Sequence, residues 1–188
     1  MNLDNVPFFF SSESLFTNAA VLKNRVSIPF LQASTPRAID KCVLPVCKIL
    51  HTGKTHLSIA LGVEACKKGI ETRFFRTAAL VNRLSEEKKK GTLSKFMKQI
   101  LKSELLILDE WGYVPLDRLG AQLLFEIISE CYERKSLIIN TNIEFSRWVT
   151  VFYDEQMTSA IVDRVLHHCH LLLFPGQSNR IKESGLGK

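Results

Sequence analysis

Gly53, Lys54 and Thr55 follow one another at the head of an apolar stretch of helical length, and two short apolar runs further on end in polar groups. Leu105 to Leu108 lead into Asp109 and Glu110, and Leu137 to Thr141 lead into Asn142. Together these residue types suit reactions of nucleoside triphosphates. Glycine lets the backbone come close to a phosphate, lysine reaches the β and γ phosphates, and the threonine hydroxyl offers an oxygen to Mg²⁺ at the positive end of the following helix. Of the two acids, Asp109 can hold Mg²⁺ through water while Glu110 polarises an attacking water, and Asn142 can hydrogen-bond that water or the γ phosphate. Two arginines, Arg164 in IVDR and Arg180 in SNRIKE, can neutralise charge developing on a transferring phosphoryl group. The chemistry indicated is hydrolysis of ATP with Mg²⁺ as cofactor.

The elements that must position these groups can be read from periodicity. Thr55 to Lys68 is apolar almost all round and stops at Gly69, so it predicts a buried helix directly after the phosphate-binding tripeptide. A strand is expected over Glu71 to Phe75, then helices over Ala78 to Lys90 and Leu93 to Lys102, separated by Gly91. Glu104 to Asp109 reads as a strand buried on both faces, which places the acidic pair at a strand's C-terminal end, where ligands sit in parallel α/β sheets. Ala121, Leu124, Phe125, Ile128, Cys131 and Tyr132 carry helical spacing, Ser136 to Thr141 is the next strand, and a helix over Met157 to Leu166 precedes a last strand over His170 to Phe174. Strands alternating with helices argue an α/β fold, a three-layer P-loop NTPase arrangement with a mostly parallel sheet.

Residues 1 to 47 read differently. Four of the six prolines fall there, with serine clusters and no sustained period, so little stable structure is expected before an ATP-binding domain over 48 to 188. The exceptions are a short helix around Ser12 to Leu22 and the run Cys42 to Leu50, which Pro45 would admit to the sheet only as a damaged strand. The complete pattern G-x-x-x-x-G-K-[ST] also asks for glycine at 48, where this chain has Lys48.

Composition narrows the classes. The chain has 188 residues, 46% of them hydrophobic, enough for one domain with a core. No apolar stretch reaches the roughly 18 to 20 residues that span a bilayer, and the N-terminus has no basic leader, so a cytoplasmic protein with no membrane partner is expected. Five cysteines without C-x-x-C spacing suit reduced thiols. A net charge of +6 favours polyanionic partners. Lys88, Lys89, Lys90, Lys95, Lys98 and Lys102 can track a phosphate backbone or simply solvate a helix face. The His167, His168, His170 cluster lacks the companion ligands of a zinc site, and Trp111, Tyr113 and Trp148 read as packing anchors.

The segments GKTHLSIALGVEACKKG, RFFRTAALVNRL, LLILDEWGYVPLDRLGAQLLFEIISECYERKSLIINTN, FSRWVTVF and AIVDRVLHHCHLLLF resemble, in order over about residues 51 to 183, the IstB-like ATP-binding proteins, helper ATPases of bacterial insertion sequences. These are of the AAA+ class and are similar to DnaA initiators and DnaC-like helicase loaders. The resemblance implies that Gly53, Lys54 and Thr55, flanked by Thr52 and His56, form Walker A, with Asp109 and Glu110 as Walker B and Asn142 as sensor 1. It further implies Arg164 as arginine finger and Arg180 as sensor 2. It also implies ATP-bound homo-oligomers on duplex DNA that recruit a transposase. Against the family's GxxGTGKT loop this chain reads KILHTGKT, with Lys48 and His51 where glycines are expected, and residues 1 to about 50 do not resemble the family's helical N-terminal region. Two other readings follow: an ATPase-dead DNA- or protein-binding remnant of a truncated transposon gene, and a DnaC-like helicase loader.

Overall fold

The structure is a computed structural model that describes residues 42–46, 53–167 and 169–173. Among the described residues, five strands and six helices follow one another: β1 (Cys42–Val46), α1 (Lys54–Lys67), β2 (Thr72–Arg76), α2 (Thr77–Lys89), α3 (Leu93–Ile100), β3 (Leu105–Trp111), α4 (Arg118–Cys131), β4 (Ser136–Thr141), α5 (Val149–Phe152), α6 (Glu155–His167) and β5 (Cys169–Leu173). A 3-10 turn over Phe145–Arg147 precedes α5. The strands form one sheet in the order β2-β3-β4-β1-β5, and every pairing is parallel. Parallel neighbours need crossovers, which the helices supply.

Side-chain alternation along β3 divides the core. Leu105 and Ile107 join Leu57, Leu61 and Ala65 of α1 on one face, with Ile138 of β4. Leu106 and Leu108 turn to the other face and join residues of α2, α3, α4 and α6, with Leu137 and Ile139 of β4. A strand clad on both sides explains the unbroken apolar text of LLIL, and each such side chain, fully buried, contributes about 1.5–3 kcal/mol. Helix, sheet and helix therefore make three layers, with α1 the element of the first cluster that begins at Gly53, Lys54 and Thr55.

Local chemistry sets the ends of the elements. α1 closes in a Schellman turn at Gly69: Gly69 N donates to Cys66 O and Ile70 N to Ala65 O, both at 3.0 Å, and Ile70 packs into the same cluster as Ala65. α4 is capped by Asp117, whose Oδ1 accepts from Gly120 N at 2.7 Å.

Two features depart from the sequence reading. The sheet takes in Cys42–Val46, within the run expected to enter it only as a strand damaged by Pro45, and places it centrally, between β4 and β5. Its pairing with β5 is continuous from Cys42↔Cys169 to Val46↔Leu173, whereas the register with β4 runs through Cys42, Val43 and Val46 and passes over the proline. The second departure is in β3, which continues past Asp109 to Trp111 through a register shift, Leu108 facing Ile139 and Trp111 facing Thr141. The expected helix around Ser12 to Leu22, together with Lys48, His51, Thr52, His168 and Arg180, lies outside the described residues.

Candidate nucleotide site

The register shift sorts the two neighbouring acids. An unbroken strand would turn Glu110 to the same face as Leu108; with one extra residue, Trp111 takes that face and packs in the core. Asp109 stays on the α1 face, 4% exposed. Glu110 is the extra residue, exposed to solvent and left-handed at φ 57, with its carbonyl accepting from Tyr113 N at 3.2 Å.

Helix α1 delivers the other half. Gly53 is its N-cap at φ 97, ψ 7, a conformation suited to glycine, and with no side chain there the helix start is uncapped. Thr55, in the first turn, points its hydroxyl at the acid of β3: Oγ1 lies 3.2 Å from Asp109 Oδ1 and 3.1 Å from Oδ2. Lys54 is half-buried beside it and His56 is exposed. Thus Gly53, Lys54, Thr55, Asp109 and Glu110, separated by more than fifty residues of chain, converge at one edge of the sheet.

Three residues that the sequence reading missed complete the cluster. Asn140 Nδ2 donates to Asp109 Oδ1 at 2.8 Å, Ser58 Oγ lies 2.8 Å from Asn140 Oδ1, and Thr77 Oγ1 donates to Asp109 O at 2.8 Å. All three are buried. A signal was present in the text. Asn140 interrupts a doubly buried strand and Ser58 interrupts a buried helix face one turn after Lys54, and polar groups in such places need partners.

Asn142 and Arg164, the remaining described site candidates, lie outside β3 and the start of α1. Asn142 follows β4 and is half-buried. Arg164, on α6, holds its guanidinium over the Phe125 ring, 5.0 Å from the centroid, and donates to Ala160 O at 3.1 Å. Trp111 and Trp148 are fully buried, 4.9 Å between ring centroids, in line with a packing role. Tyr113 is 63% exposed, so of the three aromatic residues expected to anchor the core it alone does not. No group of three or more His, Cys, Asp or Glu that could hold a metal occurs among the described residues.

A magnesium ion fits this donor set. Its preferred ligands are oxygens at about 2.0–2.1 Å in an octahedron, whose adjacent corners are then about 3.0 Å apart, and it is commonly held by one or two protein oxygens with phosphates and water filling the rest. The Thr55 hydroxyl and Asp109 carboxylate are hard oxygen donors at nearly that separation. The uncapped helix start and its left-handed glycine suit a phosphate group.

A parallel sheet ordered β2-β3-β4-β1-β5, with Gly53, Lys54 and Thr55 opening α1 and the acids at the end of the strand two places away, defines a P-loop NTPase of the AAA+ class. Comparison with known proteins narrows this to a family. The chain belongs to the IstB-like ATP-binding proteins, whose family profile matches residues 49–186. It is 43% identical over 131 residues to a protein of Bacillus thuringiensis subsp. berliner named "Insertion sequence IS232 putative ATP-binding protein", covering 70% of this chain and 52% of that one. It is 40% identical over 131 residues to the corresponding IS21 protein of Pseudomonas aeruginosa, covering 70% of this chain and 49% of that one. The chain thus spans about half the length of these relatives. Among solved structures, the DnaC helicase loader superposes with a TM-score of 0.66 at 28% identity, covering 89% of this chain and 94% of that one. A DnaA initiator bound to AMPPCP and single-stranded DNA shares the fold with a TM-score of 0.65 at 22% identity, over 94% of this chain and 52% of that one. No helix among the described residues is long and apolar enough to cross a membrane.

Proposed function

We propose that this chain is an ATP-dependent helper of DNA transposition, which binds ATP with Mg²⁺ and hydrolyses it to regulate its own assembly on duplex DNA and its recruitment of a transposase. The observation that carries the reading is the Thr55 hydroxyl set against the Asp109 carboxylate at 3.1 and 3.2 Å beneath an uncapped helix start. In this reading the amides around Gly53, with Thr52 and His56 flanking, hold the phosphates, and Lys54 reaches the terminal ones. Thr55 and Asp109 hold Mg²⁺, which would neutralise charge on the phosphate oxygens. Glu110 polarises the attacking water and Asn142 helps to orient it. Arg164 serves a neighbouring copy in a homo-oligomer and must leave Phe125 to do so, while Arg180 senses the bound nucleotide.

The test is ATP binding and steady-state hydrolysis by the purified chain beside Lys54→Ala and Glu110→Gln. Lys54→Ala should abolish binding, and Glu110→Gln should bind ATP but lose turnover by two or more orders of magnitude, within the range of about 10²–10⁴ for a positioned base. Hydrolysis indifferent to both substitutions would remove the catalytic assignment.

A second reading, an ATPase-dead module that keeps the sheet without turning ATP over, draws on Lys48 and His51, side chains where the family's phosphate loop carries glycine. Absence of ATP binding that returns when both positions are changed to glycine would select it. The likeness to the DnaC loader raises a helicase as the alternative partner. Co-purification of the ATP-bound chain with transposase but not with a replicative helicase distinguishes the two.

A further inference from the structure

Behind Thr55 and Asp109 lies a buried relay that the catalytic roles above do not use. Ser58, Asn140 and Asp109 are 0%, 2% and 4% exposed and come from α1, β4 and β3. Chemistry alone fixes the direction of their hydrogen bonds. A carboxylate only accepts, so the end of the Asn140 side chain that faces Asp109 Oδ1 at 2.8 Å must be its NH₂ group. The carbonyl end then faces Ser58 Oγ at 2.8 Å, and the serine hydroxyl must donate to it. The same hydroxyl lies 3.2 Å from Lys54 O, a longer contact to another acceptor, so its single proton is best placed toward the amide.

The result is an asymmetric carboxylate. Oδ1 accepts from Asn140 as well as Thr55, whereas Oδ2 has, among the described residues, the Thr55 hydroxyl alone. The geometry points to Asn140, oriented by Ser58, as a positioning residue that anchors Asp109 through Oδ1 and presents Oδ2, with Thr55 Oγ1, to the divalent cation of the bound nucleotide. Asn140 touches neither nucleotide nor cation; it acts through Asp109. Without Ser58 the amide loses the partner that holds its carbonyl end, and without Asn140 the carboxylate is free to rotate about its terminal bond. The inference rests on the ATP-binding reading and deepens it.

The experiment measures ATP affinity by calorimetric titration, in EDTA and across a series of MgCl₂ concentrations, for the native chain, Asn140→Leu, Ser58→Ala and the double variant. Outer-shell partners of metal ligands are typically worth about 10–100-fold in metal affinity. Asn140→Leu should therefore raise the MgCl₂ concentration for half-maximal tightening by that factor while leaving ATP affinity in EDTA at the native value. Ser58→Ala, a small excision that keeps the packing, should shift the same quantity in the same direction by less. The double variant should be no worse than Asn140→Leu, because Ser58 acts through Asn140. Affinity in EDTA also reports, in every variant, that the site is folded. An Asn140→Leu chain with native MgCl₂ dependence, or one that loses affinity equally with and without metal, overturns the inference while the ATP-binding reading stands. Failure of the native chain to bind ATP in a Lys54-dependent way overturns both.

Discussion

Gly53→Ala adds a single methyl group at the entrance to α1, and no described atom lies within 4 Å of where that methyl would sit. Among the described residues steric collision therefore contributes nothing, and the effect comes from the backbone. At φ 97 and ψ 7 an L-residue is held on the left-handed side of the map, which costs about 1–2 kcal/mol. The alanine also restricts the unfolded chain, returning about 0.4–1 kcal/mol, so the net cost is about 1 kcal/mol. That energy must appear in one of two measurements. If the chain keeps the left-handed turn, the unfolding midpoint falls by about 2–4 °C in a scanning calorimeter, the shift expected per kcal/mol for a domain of this size. If it relaxes, the first amides of α1 rotate off the phosphate position, and ATP affinity drops by up to about tenfold, since about 1.4 kcal/mol is one decade. A variant with both native midpoint and native ATP affinity would refute the claim that the left-handed glycine shapes the site.

Three further outcomes come from packing and burial. Gly120→Ala should lower the urea midpoint by an amount worth about 1–3 kcal/mol without changing the m-value, because its Cβ would sit 2.3 Å from Val81 Cγ1 and 2.7 Å from the capping Asp117 Oδ1; adding Val81→Ala should recover part of the loss. Burial pushes the Cys131 thiol up to about 11, so at pH 8 a maleimide should label the exposed Cys66 and spare Cys131 until the protein unfolds. The same shift has a definite sign in stability. The unfolded thiol ionises near 9 while the folded one stays neutral, so this contribution is intact below pH 9 and is lost at roughly 1.4 kcal/mol per unit between about pH 9 and 11, a slope that Cys131→Ala should reduce.

The sequence made the scaffold legible where one physical cause dominates. Ser136 to Thr141 and the LLIL run declared strands because burial on both faces leaves no room for alternation, and both occur as expected. The convergence of Thr55 with Asp109 was legible for a related reason: a parallel α/β sheet carries its loops to one edge. Other features left too faint a trace. A one-residue register shift at Glu110 has no signature beyond two adjacent acids, so their division into a buried and an exposed carboxylate was not foreseen. Pro45 argued against a central strand, yet β1 occupies one, with the proline at a position that the β4 register skips. The 3-10 turn and α5, four residues long, are too short to show a period. Asn140 was read only as part of the strand Ser136 to Thr141, although an amide between Ile139 and a buried threonine had to be satisfied by something across the sheet.

Glu110 sits in a conformation that favours glycine but carries a side chain suited to activating water. Holding a non-glycine residue there costs about 1–2 kcal/mol. Glycine would remove that tension at an entropic loss of about 0.5–1 kcal/mol. Selection for thermal robustness alone would accordingly favour Glu110→Gly, and a sturdier protein obtained by that route would have surrendered the carboxylate proposed above to polarise water. If Glu110 holds that role, stability and turnover are set against each other at a single backbone angle.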